Sequence, residues 1–145
     1  MKVQESMTAD VRLANPNQPI SAAAKMMAEC DCGVIPVSED DKLVGMITDR
    51  DIAIRAIADG KGPDTPIREV MSEGVCYCFE DQEIGEVAAN MADIQVRRLP
   101  VLNRSKRLVG ILSIGDIALS DSEAGHCAQA LSGISEHGGQ HTTAA

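Results

Sequence analysis

The 145-residue chain is predicted to be an α/β (α+β) protein built from two tandem β-α-β-β-α repeats, and three observations predict it. The string Leu43-Val44-Gly45-Met46-Ile47-Thr48-Asp49-Arg50-Asp51-Ile52-Ala53 returns as Leu108-Val109-Gly110-Ile111-Leu112-Ser113-Ile114-Gly115-Asp116-Ile117-Ala118. Upstream, Ile35-Pro36-Val37 returns as Leu99-Pro100-Val101 and Met7 as Met71, both 64 positions on, whereas Gly45 and Gly110 lie 65 apart. One residue is therefore inserted in the second hairpin loop. Apolar runs of strand length also alternate with helical stretches in the same order in both halves.

Taken in order, the first repeat opens with an extended lead and continues as a helix through Ile20-Ser21-Ala22-Ala23-Ala24-Lys25-Met26-Met27-Ala28-Glu29-Cys30, with Gly33 placed to stop it. Val34-Ile35-Pro36-Val37 and Leu43 to Ile47 read as short buried strands joined by the polar hairpin Ser38 to Lys42. Pro36 favours an edge or irregular position there. A helix from Asp49 to about Asp59 follows, with Gly60 past its end. Residues 1–62 form the first repeat, and the Pro- and Gly-rich stretch ending in residues 63–66 is linker chemistry. The second repeat, 67–122, has a strand over Val75 to Phe79, a helix over Ile84 to Asp93, strands over Leu99 to Leu102 and Leu108 to Leu112, and a helix from Ile114. Residues 123–145 complete a short helix over Asp121 to Leu131 and a polar, Gly-rich end, expected to be mobile from Ser132 on.

Bulk properties narrow the function. A 44% apolar content supplies a core, no run is long enough to span a bilayer, and the start lacks a secretory signal, so a cytoplasmic location is expected and a membrane partner is not. Net charge −9 and only Tyr77 and Phe79 for stacking argue against nucleic acid. The five cysteines, Cys30, Cys32, Cys76, Cys78 and Cys127, lack C-x-x-C spacing and are expected as small buried hydrophobes, with Cys76 and Cys78 on one strand face. Met26, Met27 and Met91 are expected as helix core or dimer packing. No metal site is expected: adjacent His126 and Cys127 diverge on a helix, and His137 and His141 fall in the tail.

The chemistry sits in the repeated hydroxyl-x-x-Asp. Thr48 falls at a helix N-cap and Asp51 at the third helical position, as do Ser113 and Asp116 in the second copy. A capping box accounts for a single such pair. Two copies after matching strands favour a binding role as well. Exposed N–H groups and a partial positive charge suit phosphate oxygens, and a carboxylate accepts both hydrogens of a vicinal diol. Phosphate plus diol describes a ribonucleotide. Thr48 or Ser113 would bond phosphate or ribose, Asp51 or Asp116 would hold the ribose hydroxyls, and Arg50 would pair with phosphate. Val34, Ile35 and Pro36 in one half, and Leu99 and Pro100 in the other, offer an apolar slot for the base, whose edge strand backbone could read.

The tandem repeat, the hydrophobic-Pro-Val strand and the two Gly-h-h-[Ser/Thr]-x-x-Asp motifs, h being apolar, together resemble a pair of CBS domains, the Bateman module, over roughly Ser6 to Ser120. The resemblance implies two repeats about a pseudo-twofold axis, with two clefts that often bind AMP, ATP, other adenosyl ligands or NAD-type nucleotides, and assembly into disc-shaped dimers. It assigns Thr48 and Asp51, and Ser113 and Asp116, to phosphate and ribose, and Ile35 and Leu99 to the base pocket. Met7-Thr8 and Met71-Ser72 match segments that approach base or ribose. Arg97-Arg98 stand where such modules often carry basic residues; Arg98 is read either as a phosphate ligand or as a solvated strand-end charge. Gly115 replaces Arg50 in the second motif, so the Asp51 cleft is expected to hold phosphate more strongly.

The leading expectation is a non-catalytic adenine-nucleotide sensor without a catalytic cofactor, working as a homodimer on an unknown protein in trans by changing conformation or dimer packing. Nucleotide hydrolysis lacks a P-loop, a His dyad in the repeats or clustered metal ligands. The alternatives are a redox- or metal-responsive interaction module using the cysteines, and a purely structural dimeriser.

Overall fold

The computed structural model describes residues 1–120 and 124–136. Its chain divides into two compact units. One is Arg12–Val75, here called the Thr48 unit; the other joins Met1–Val11 to the described residues from Cys76 on, here the Ser113 unit. These spatial units are offset from the sequence repeat, because each repeat's lead packs in the unit that carries the other repeat's motif.

In the Thr48 unit, α1 (Ile20–Cys30) turns Ile20, Ala23 and Met27 inward, a helical spacing that lays one apolar stripe on the core. No side chain caps it. The linker does so instead, since Ile20 N–H donates to Thr65 O (2.8 Å) and Ser21 N–H to Pro63 O (3.2 Å). The helix ends on Asp31 in the left-handed conformation (φ 52°), so Gly33 is not the stop expected of it. Gly33 instead allows a close approach: a Cβ there would lie 2.9 Å from Asp49 Oδ2.

Strands β1 (Val34–Glu39) and β2 (Lys42–Thr48) pair antiparallel through a tight turn in which Asp40 and Asp41 both have positive φ, the geometry that matches strand twist. Pro36 fits mid-strand because the bridge from Ala14 uses its carbonyl (3.0 Å) and the Ser38 N–H (2.9 Å), so the missing donor is not required. Beyond β2, the helix expected to Asp59 is only partly α: α2 (Asp49–Asp51) passes directly into a π-helical stretch, Ile52–Ile57.

The Ser113 unit repeats this plan. Strand β3 (Cys78–Phe79) runs parallel to β4 (Arg98–Leu102), which pairs antiparallel with β5 (Leu108–Ser113). The irregularity between Val37 and Ser38 recurs between Val101 and Leu102, and five residues separate the Leu102–Leu108 pair where four separate Ser38–Leu43, which places the inserted residue. Helix α3 (Ile84–Ile94) buries Ile84, Val87, Ala88 and Met91, and α4 (Ile114–Ser120) buries Ile117. Helix α5 (Ala124–Ile134) lies on α3, so close that a Cβ on Gly133 would meet the Ala92 Cβ. It reaches past the expected limit at Leu131, because Ile134 is buried and the Gln95 amide donates to Gly133 O (3.0 Å) and Glu136 O (2.9 Å). The tail from 137, with His137 and His141, and the expected helix start over 121–123 lie outside the described residues.

The cysteines depart from expectation. Cys30 and Cys32 form a disulfide, Cys30 exposed and Cys32 half-buried. Cys76 is exposed and only Cys78 is buried, because Gly74 turns the chain (φ 65°) and the strand begins at Cys78 rather than Val75. Burial pushes the Cys78 thiol up to about 12, which leaves it inert.

Candidate functional site

Each unit closes its second hairpin strand on a hydroxyl residue that starts a helix. Thr48 is extended (φ −114°, ψ 162°); its Oγ1 accepts from Asp51 N–H (2.9 Å) while Asp51 Oδ2 accepts from Thr48 N–H (3.0 Å). That is a complete capping box, reciprocal because three residues of helix bring the carboxylate back under the cap. Ser113 and Asp116 repeat it at 3.0 Å in both directions. In each box one carboxylate oxygen is used by backbone. What meets the other differs.

In the Thr48 unit, Asp51 is only 3% exposed, and its Oδ1 lies 3.9 Å from Arg55 Nη1. Arg55 also donates to Met71 O (3.4 Å) and Ser72 Oγ (3.3 Å), so it joins the helix to the edge segment beside β2. Sequence reasoning chose Arg50 for phosphate and passed over Arg55, although its place four residues after Asp51 on a helix was the available signal. Arg50 itself stands exposed. In the Ser113 unit the corresponding oxygen, Asp116 Oδ1, accepts from Thr8 Oγ1 (3.4 Å). Behind it, the Ser120 hydroxyl donates to Asp116 O (2.6 Å) and accepts from the Ser6 hydroxyl (2.5 Å), which itself lies 3.2 Å from the same carbonyl. One entrance therefore carries a cation and the other a set of hydroxyls.

The edge segments explain the repeated glycines. Ser72 and Met46 exchange backbone bonds (2.9 and 3.1 Å), as do Thr8 and Ile111 (2.9 Å each). A Cβ on Gly45 would lie 2.7 Å from Ser72 O and 2.8 Å from Met71 Sδ; one on Gly110 would meet Thr8 O and Met7 Sδ at the same distances. Thus Met7-Thr8 and Met71-Ser72 occupy equivalent places beside the two boxes.

The apolar candidates are placed differently. Ile35 and Leu99 point into the two cores and Pro36 and Pro100 are buried, so the side chains expected to line an apolar slot are packed inside the protein. Arg98 is exposed and paired across the ladder with Ser113, the register that Val34 holds with Thr48.

Burial raises the Asp51 carboxyl above its usual 3.8, with the Thr48 amide and hydroxyl and the Arg55 cation opposing. Ionising it therefore costs folding free energy. The stability contribution is complete below the unfolded value and is lost as pH rises through the higher folded one. Wild type should accordingly lose stability relative to Asp51→Asn as pH climbs upward from 3.8, and then run parallel to it, as read from denaturant midpoints across that range.

Two hairpin-and-helix units, each with a hydrophobic-Pro-Val strand and a hydroxyl-x-x-Asp helix entrance, define a paired β-α-β-β-α module. The CBS domain profile matches residues 3–57 and 67–123, and the chain belongs to the CBS domain family. It is 39% identical over 133 residues to the CBS domain-containing protein YhcV of Bacillus subtilis, covering 92% of this chain and 94% of that one. Hypoxic Response Protein I, solved with two coordinated zinc ions, superposes with TM-score 0.75 at 37% identity over 83% of this chain and 98% of its own. The CBS domain pair of protein MJ0100, solved with 5′-methylthioadenosine and S-adenosyl-L-methionine, superposes with TM-score 0.74 at 31% identity, covering 82% of this chain and 94% of that one. Among the described residues of this chain, no three His, Cys, Asp or Glu converge as a metal site would require, and no helix is long and apolar enough to cross a membrane.

Proposed function

We propose that the chain is a non-catalytic regulatory module that binds an adenine nucleotide (AMP, ATP or NAD-type) or another adenosyl ligand at its two helix entrances. The duplicated box carries this reading: each holds a carboxylate with one oxygen beyond the backbone's use, beside an edge hydroxyl and a helix start. The adenosyl compounds bound by the MJ0100 pair support the ligand class. Asp51 and Asp116 hold the ribose diol, Thr48 and Ser113 bond ribose or phosphate, and the buried Pro36 and Pro100 strands read the base. Arg50, Arg55 and Arg98 supply the cations for phosphate. To accept from a diol, Asp51 exchanges its Arg55 contact for the ribose, which frees the guanidinium for the phosphate and gives ligand a means of moving the helix against the edge segment. The output is a change in conformation or in homodimer packing that a regulated protein reads. Ile57 (61% exposed) and Leu119 (91% exposed) are apolar surface that a second copy would cover.

A thermal-shift panel of AMP, ADP, ATP, NAD and S-adenosylmethionine tests the proposal. A ligand at one hundred times its Kd adds about 2.7 kcal/mol, a rise of roughly 5–10 °C for a chain of this size. Asp51→Ala should abolish the response of the first entrance and Asp116→Ala that of the second. No shift with any nucleotide, or shifts untouched by both substitutions, overturns the reading.

A further inference from the structure

We propose that Cys30 and Cys32 form a reversible thiol–disulfide exchange site, whose co-reactant is a dithiol and whose redox state is transmitted to the start of α2. The site is separate from the nucleotide reading, and its test needs no nucleotide.

The turn, rather than the sulfur bond, sets the geometry. Asp31 in the left-handed conformation sends its own N–H and that of Cys32 (3.0 Å) to Met27 O, which places the Cys30 and Cys32 Cα atoms 5.4 Å apart, inside the range a disulfide requires. The Ser113 unit contains the internal control. There Gln95 (φ 56°) makes the same turn onto Met91 O, and the matching positions are Ile94 and Val96, two apolar residues packed on the core. The turn therefore forms without sulfur, and the reduced thiols of Cys30 and Cys32 would stay within reach of each other.

A bond that spans three residues removes little freedom from the unfolded chain, so a role as a staple explains it poorly. Its two sulfurs are unequal. Cys30 is exposed at the end of α1, whereas Cys32 packs against the core of its unit. A thiolate of the dithiol attacks Cys30 Sγ, the Cys30–Cys32 bond breaks, and the electron pair leaves on Cys32 Sγ, which takes a proton from water. The dithiol's second thiol, once deprotonated, attacks the mixed disulfide and releases Cys30, which is protonated in turn. The chain gains two electrons and two protons, and the dithiol becomes a disulfide; the reverse sequence re-forms the bond.

The route to α2 is short. Gly33 follows Cys32 directly, its carbonyl accepts the Asp49 N–H (3.0 Å), and its α-carbon faces the Asp49 carboxylate, where a Cβ would stand 2.9 Å from Oδ2. Any movement of the turn is felt at the first residue of α2.

The test uses the folded full-length chain, alkylation with mass spectrometry, and two dithiols: dithiothreitol and a C-x-x-C oxidoreductase in catalytic amount. Two thiols should appear at Cys30 and Cys32 without denaturant, and the oxidised form of either dithiol should rejoin them within one chain. Turnover by the oxidoreductase identifies a protein co-reactant, and reaction with dithiothreitol alone a small one. Cys30 in Cys32→Ser should alkylate about tenfold faster than Cys32 in Cys30→Ser, as exposure dictates. The Asp49 amide resonance should shift between redox states in wild type and stay fixed in the double serine variant. A bond that resists both dithiols until the chain unfolds, two thiols that no oxidant joins, or an Asp49 amide indifferent to redox state overturns the proposal.

Discussion

Gly45→Val and Gly110→Val are expected to destabilise the chain by about 3 kcal/mol each, at the upper end of the cost of overpacking, and Gly→Ala by about 1–2 kcal/mol. The first added carbon would already stand 2.7 Å from a backbone carbonyl, Ser72 O at Gly45 and Thr8 O at Gly110. The methionine sulfurs nearby can move; the carbonyls cannot, because they accept the N–H bonds of Met46 (3.1 Å) and Ile111 (2.9 Å) that hold the edge in place. Relief therefore requires the edge segment to leave the sheet, which exposes two backbone pairs and carries Ser72 or Thr8 away from its box. Thermal melting should fall by roughly 2–4 °C per kcal/mol. A drop of less than a degree for both valine variants would show that the edge is not held where the structure puts it.

Leu112→Ala should cost a comparable amount, about 2–5 kcal/mol. Leu112 is fully buried in β5, opposite Leu99, within a core that also holds Val87, Met91 and Ile117. Truncation leaves a cavity between a strand and two helices whose backbones are fixed by their own hydrogen bonds, so collapse is limited. Because Ser113 follows directly, the same variant should loosen the Ser113–Asp116 box, seen as faster amide exchange at Asp116 than at Asp51. Denaturant midpoints read the first effect and hydrogen exchange the second.

Much of the fold was legible because the chain states it twice. The 64-residue echo of Ile35-Pro36-Val37 and the 65-residue echo of Gly45 give strands, hairpins and the inserted loop residue, and the structure places all of them. Both capping boxes were legible as well, since hydroxyl-x-x-Asp is a local code that backbone geometry closes within one helical turn. Cys76, by contrast, was misplaced because Gly74 turns the chain before the strand begins, a choice that a two-residue strand signals weakly.

By itself, the sequence determined the repeated β-α-β-β-α plan, the core stripes and the two hydroxyl-carboxylate helix entrances, since each depends on residues within a few positions of one another. Tertiary structure alone decided which edge lies against which glycine, that Arg55 ties Asp51 to the Met71-Ser72 edge segment, and that Cys30 and Cys32 meet across a left-handed turn. The physical reason is that edge pairing runs through backbone N–H and C=O groups, which every residue carries, so composition does not mark the partner. A side chain's reach and a sulfur pair's distance likewise depend on φ and ψ values that only the packed chain selects.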